Sequence, residues 1–413
     1  MFSVASYLSR FFSSRSDHAI RIPSVKIHEI ETAVEKSARA LKHLLKLNHV
    51  NFAVLYNERR FHNHMPHLLS SAYLLGADAN HLNRLYDVDS KFLEPWTDAP
   101  SEISTFDWRD YLGKREYQRA FVDFFEDEVV RQGYDWKTVL NKFLFEGKEP
   151  LINSVLADLG HPLIHIGYAL EMSSREVGME GLALAATCYS DLHKYLDDPS
   201  YFQAEPSYRS LSPFEILDRV RTDNRFNGLF ATPGSHNLET IFREREAALL
   251  NHWNAWKIED PVKQFRDSQE AAAALLVGTD TEQYDFFLVH VLTTSHAVRI
   301  LLPLIPEAFH IALVRQWWLV TLAIYIAQLR PEIKLDRILG YNPGAGRDWN
   351  WATRQAIEGK HSTDPHYVKA IRALKEAAHT WGDPDRFYEK AAVRFAAEFA
   401  GWGGFVGSSF QAD

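Results

Sequence analysis

The chain has 413 residues, 46% of them hydrophobic and 24% charged, enough to bury a substantial core. A formal net charge of −9 with no basic stripe speaks against a nucleic-acid binder and against docking on an anionic membrane. One cysteine, Cys188, excludes a disulfide within the chain and fits a reducing, cytoplasmic setting.

Taken in chain order, residues 1–24 open with serines and two arginines before the first acid, Asp17, and read as a flexible N-terminal segment. From there 25–413 is expected to be a single all-α domain, with helices packed around a buried central site. Between Lys26 and Leu47, Ile27, Ile30, Val34, Ala38, Leu41 and Leu45 recur at spacings of three and four, which predicts one amphipathic helix. Residues Arg115 to Gln132 repeat the pattern with Phe121, Phe124, Phe125 and Val129, and further helices are predicted for 238–256, 262–276 and 308–329. Ser212-Pro213, Asp260-Pro261, Asp364-Pro365 and Asp383-Pro384 each read as a cap followed by a helix-opening proline. Residues 89–111 and 340–348 read as loops. The apolar run Trp317 to Ala327 is too short for a membrane span of roughly 20 residues and reads as a buried core helix. The acids Glu126, Asp127, Glu128 and Glu171 read as solvated helix faces, and Cys188 as a small buried side chain.

Chemistry points to the histidines, which fall into four groups. The first is His62, His64 and His67, and the second is His161 and His165. The third is His290 and His296 within an apolar helix, and the fourth is His366 with Lys369 one turn later. Taken singly, each has an ordinary reading as a cap or a core residue. Together they suit a metal, because imidazole binds iron, zinc and copper when neutral. His64, His161 and His366 lie within two residues of a helix-opening proline, where the helix dipole disfavours imidazolium. The same dipole repels a cation, so an anionic ligand is needed to compensate. A buried Lys369 with a lowered pKa can react as the free amine with carbon dioxide, although a snorkelling lysine is the plainer reading. The Rossmann, P-loop, G-x-S-x-G and H-E-x-x-H fingerprints are missing from the sequence.

The segments Asn63-His64-Met65-Pro66-His67, Gly160 to His165, Asp285 to Thr293 and Asp364 to Lys369, in this order, resemble the questin oxidase family, and the likeness spans most of the chain. The resemblance implies a mostly helical oxygenase that opens anthraquinone rings in fungal aromatic polyketide pathways. It implies one Fe(2+) held by His64, His161, His290 and His366 and by Lys369 as a carbamate. His62, His67, His165 and His296 then line or support the site, with His165 and Tyr168 as candidate catalytic groups. The partners implied are a small aromatic polyketide and dioxygen. Two rivals stand beside this reading. One is a metal-free Baeyer–Villiger-type oxidation driven by NADPH with a His or Tyr base; the other is a helical protein that binds polyketides without chemistry.

Overall fold

A computed structural model describes residues 19–405, and they are predominantly helical. The N-terminal segment expected to be flexible therefore lies almost wholly outside the described residues; of its described end, Ile20 and Ile22 are buried. The described chain sorts into two compact units, Ser24–Asp197 with Ile357–Lys369, and Asp198–Ala356 with residues 19–23 and 370–405.

The first unit contains α1 (Lys36–Asn51), α2 (Met65–Leu74), α3 (Ala79–Asp89), α4 (Gln118–Arg131), α5 (Trp136–Phe145), α6 (Ala157–Met172) and α7 (Arg175–Thr187). A short antiparallel pair, β1 (Leu55–Tyr56) and β2 (Phe61–His62), leads into α2. Helix α7 is the hub, packed on α1, α4, α5 and α6. Its small residues make this possible. A Cβ on Gly181 would stand 2.9 Å from Cγ1 and 3.3 Å from the backbone N of Ile166, so glycine there permits the close approach of α6 and α7.

The second unit contains α8 (Pro213–Thr222), α9 (Asn237–Glu244), α10 (Glu246–Ala255), α11 (Pro261–Val277), α12 (Phe286–Leu301), α13 (His310–Ala327) and α14 (Trp349–Glu358). Helix α15 (Pro365–Trp381) starts in the first unit and continues in the second, which α16 (Phe387–Glu398) completes. A parallel pair joins β3 (Tyr284–Asp285) to β4 (Trp402–Gly403). Helix α13 is apolar around its circumference and buried: Trp317 and Trp318 lie in the core, and the Trp318 ring packs 5.1 Å from that of Trp256. It is the one helix among the described residues long and apolar enough to span a membrane, and most of it is covered by protein.

The structure departs from the sequence reading in three places. The first helix starts at Lys36, not Lys26; residues 26–35 are extended or turned, tied by His28 N–H donating to Glu171 O, and Val34 is exposed. The helix predicted for 238–256 is two, α9 and α10, broken at Arg245. Ser212, Asp260 and Asp364 cap helices as expected, but Pro384 sits in a turn. Asp383 instead reaches forward to accept from Tyr388 N and Glu389 N at the start of α16.

Candidate metal centre

Three helix starts in the first unit each present a histidine. His64 is the N-cap of α2, followed by Pro66; Asn63 Oδ1 accepts from Met65 N at 3.0 Å and fixes the entry of the chain. His366 follows Pro365 in the first turn of α15, where Asp364 accepts from His366 N at 2.8 Å and Tyr367 N at 3.0 Å. His161 is set by a sharper device. Asp158, Leu159 and Gly160 are all left-handed, with φ of 49°, 57° and 77°, so the regular part of α6 begins only at His161-Pro162. Two consecutive non-glycine residues in that region cost backbone energy, about 1–3 kcal/mol each. The turn brings Asp158 O within 2.5 Å of His161 Nδ1, which donates to it; that tautomer puts the ring lone pair on Nε2.

These rings converge. His64 Nε2 lies 3.0 Å from His161 Nε2, and the His64 and His366 ring centres are 4.5 Å apart. One nitrogen from each of the three lies within 4.8 Å of the others. Nitrogens about 2.1 Å from a common ion and at right angles stand about 3 Å apart, so the His64–His161 spacing fits two ligands of one metal. Lys369, one turn beyond His366, is buried, and its Nζ has no hydrogen-bond partner among the described residues. Burial pushes this amine down to about 7, against the pull of Asp364. A substantial neutral fraction at physiological pH is the chemical requirement for a carbamate.

The donor set so described lies inside the stretch matched by a family model, "Questin oxidase-like", over residues 61–374. The chain belongs to the questin oxidase-like family. Relatives include the Baeyer–Villiger oxidase ptaJ of Pestalotiopsis fici, 26% identical over 82% of this chain and 80% of its own length. The questin oxidase of Aspergillus terreus is 25% identical over 87% of this chain and 83% of its own length. The oxidoreductase AflY of Aspergillus parasiticus is 26% identical over 82% and 72%. The chain is accordingly an enzyme of the oxidoreductase class.

In this questin oxidase-like chain, His290 lies in the second unit. It is fully buried on α12 behind the cap Asp285, and its Nδ1 donates to Phe286 O at 2.8 Å, which again places the lone pair on Nε2. His296, in the same unit, is buried near Arg299 and Arg372; burial first, and then those cations, hold it neutral. His62 stacks on His161 at 3.9 Å with the rings 2° from parallel, and its Nε2 approaches Asp158 Oδ2 at 3.4 Å and Cys188 Sγ at 3.8 Å. Tyr168 shares a 2.5 Å hydrogen bond with Ser71 and stacks on His67 at 5.3 Å.

The sequence reading missed Asp158 and Arg115. Asp158 pairs with the Arg115 guanidinium, which also donates to Arg59 O at 2.7 Å, so Arg115 clamps the left-handed turn that holds His161. Arg115→Ala is expected to weaken metal binding by about 10- to 100-fold, the usual effect of losing a group that orients a ligand. A metal titration followed by calorimetry checks this.

It also misjudged two of the four acids, whereas Asp127 is exposed as expected. Glu171 and Glu128 are buried rather than solvated; Glu128 is clamped by Arg131 and Lys142, and Glu126 is bonded to His49. His67 Nε2 meets His165 Nδ1 at 3.0 Å, and His165 Nε2 meets Glu180 Oε2 at 2.9 Å. Glu180 Oε1 meets His49 Nδ1 at 2.9 Å, and His49 Nε2 meets Glu126 Oε1 at 2.9 Å. Burial disfavours a charged His49, but hydrogen bonds and attraction from both carboxylates outweigh it and raise its pKa to about 10. The folded pKa exceeds the unfolded value near 6.5. The stabilisation is therefore complete below about 6.5 and is lost as pH rises towards 10. Urea midpoints of wild type and His49→Gln should differ most at pH 6 and converge by about pH 10.

Proposed function

We propose that this enzyme opens a ring of an anthraquinone-type aromatic polyketide with dioxygen, at one iron held by His64, His161, His366 and a carbamate on Lys369. The convergence of His64, His161 and His366 from three separate helix starts carries this reading. The family resemblance assigns His290 to the same ligand set, and metal content of His290→Ala tests that assignment. The relatives named as questin oxidase and Baeyer–Villiger oxidase supply the substrate class and the type of reaction.

The chemistry that iron(II) supplies when bound is the activation of dioxygen, for which side chains alone are poorly suited. The residues of the chain do the rest. The backbone bond at His161 Nδ1 fixes its tautomer, and the starts of α2, α6 and α15 favour neutral rings at all three histidines. A carbamate on Lys369 adds the negative charge that offsets repulsion between those helix starts and a cation. Burial of His67, His165 and Tyr168 keeps bulk water from the donor set.

A second reading has an observation of its own: Tyr168, bonded to Ser71 and stacked on His67, is a candidate acid–base group for an NADPH-driven oxidation without metal, and several relatives carry Baeyer–Villiger names. Purified protein with a dihydroxyanthraquinone and dioxygen separates the two. The iron reading expects about one iron per chain and turnover that a chelator abolishes and iron(II) restores. Undiminished, NADPH-dependent turnover by metal-free protein would replace it with the second.

A further inference from the structure

The chain of hydrogen bonds from His67 to Glu126 has a direction that the donor inventory fixes. An ionised carboxylate only accepts, so His49, between Glu126 and Glu180, donates from both nitrogens and is an imidazolium. Glu180 is held as a carboxylate: burial opposes this, but the bonds from His165 and His49 prevail. Glu180 therefore accepts from His165 Nε2–H as well. That leaves the His165 lone pair on Nδ1, which accepts from His67 Nε2–H. The inner end is then His67 Nδ1, a buried atom with no hydrogen-bond partner among the described residues. The chain of bonds is open at its inner end, where the His67 ring lies 5.3 Å from that of His64, and it reaches solvent at Glu126, whose side chain is 39% exposed.

We propose that His165, Glu180, His49 and Glu126 form a proton path between the buried histidine cluster and solvent. The proposal rests on the reading of that cluster as the reaction site, since a phenolic substrate bound there as phenolate must lose a proton. In the outward step His165 takes up a proton at Nδ1 and releases its Nε2 proton to Glu180 Oε2. His49 gives its Nε2 proton to Glu126, which passes it to water. The bonds then point the other way, with Glu180 Oε2–H donating to His165 Nε2, and the reverse shift, as the product takes a proton back, returns each proton to its starting atom. One proton enters and one leaves; no electrons move. At the outer end the bond from His49 first, and then the charges of His49, Arg119 and Arg175, outweigh burial and hold Glu126 ionised, while Lys46 pairs with Glu31 and Glu176 rather than with the path. Trp96 Nε1 donates to His49 O and holds the backbone at the bend.

Two variants test the path on the iron-loaded protein. Glu126→Gln removes the outer acceptor at a half-exposed position, and His49→Ala interrupts the middle. Two readouts apply: turnover of a dihydroxyanthraquinone, and exchange of the His165 ring N–H with solvent, followed by nitrogen-15 imidazole NMR. The path predicts slower N–H exchange in both variants, kcat lower by about 10-fold or more with KM and iron content unchanged, and recovery of His49→Ala by added imidazole. Unchanged exchange in Glu126→Gln, or His49→Ala turnover that imidazole does not raise, overturns it. If His49→Ala does not fold, exchange and kcat in Glu126→Gln decide. Absence of any quinone turnover in wild type would count against the proposed reaction, and the exchange rates would still decide the path.

Discussion

His366→Ala is expected to abolish bound iron and turnover together, while the protein stays folded. His366 stands in the first turn of α15, and the bonds that start this helix come from the Asp364 carboxylate and not from the His366 ring. Removing the ring thus leaves the cap intact and takes away one nitrogen of the converging set. Loss of an orienting partner costs a metal site about 10- to 100-fold, and loss of a ligand is expected to cost more than about 100-fold in affinity. Iron analysis after gel filtration, with circular dichroism as the control for folding, checks both halves. An alanine variant that retains stoichiometric iron would remove His366 from the ligand set.

The second large effect concerns Lys369. Lys369→Ala is expected to lose activity nearly completely and to regain part of it with small carboxylates such as acetate or propionate, which take the place of the carbamate. Lys369→Met should be equally inactive but no less stable than wild type. The native amine is buried without a hydrogen bond among the described residues, and methionine fills similar space with no desolvation cost. Depleting carbon dioxide during iron loading should lower wild-type activity, and added bicarbonate should restore it. Full activity of Lys369→Ala without any additive would rule out the carbamate.

Much of this site is legible in the sequence because helix starts leave marks. Pro66, Pro162 and Pro365 announce where α2, the regular part of α6 and α15 begin, and the three histidines beside them converge. The left-handed turn before His161 is not legible. Asp158 and Leu159 carry no glycine signal, and the clamp that stabilises the turn, Arg115, lies 43 positions away. The bond from Glu126 to His49 is not legible for the same reason: the two lie 77 positions apart. Glu180 did leave a signal, as a lone acid among Gly178, Met179, Gly181, Leu182 and Ala183 on a helix buried nearly all round. The early start predicted for α1 fails because Ile27 and Ile30 match the helical spacing by chance. Ile30 is buried from a turn, and the helix itself buries Ala38, Leu41, Leu44 and Leu45.

X-ray absorption at the iron edge of iron-loaded protein probes the donor set directly. Imidazoles and a carbamate predict a shell of nitrogen and oxygen near 2.1 Å, with the outer-shell scattering of imidazole rings, diminished by one ring in His161→Ala. A protein that takes up no iron, or whose iron spectrum is the same in His64→Ala, His161→Ala and His366→Ala as in wild type, would contradict it.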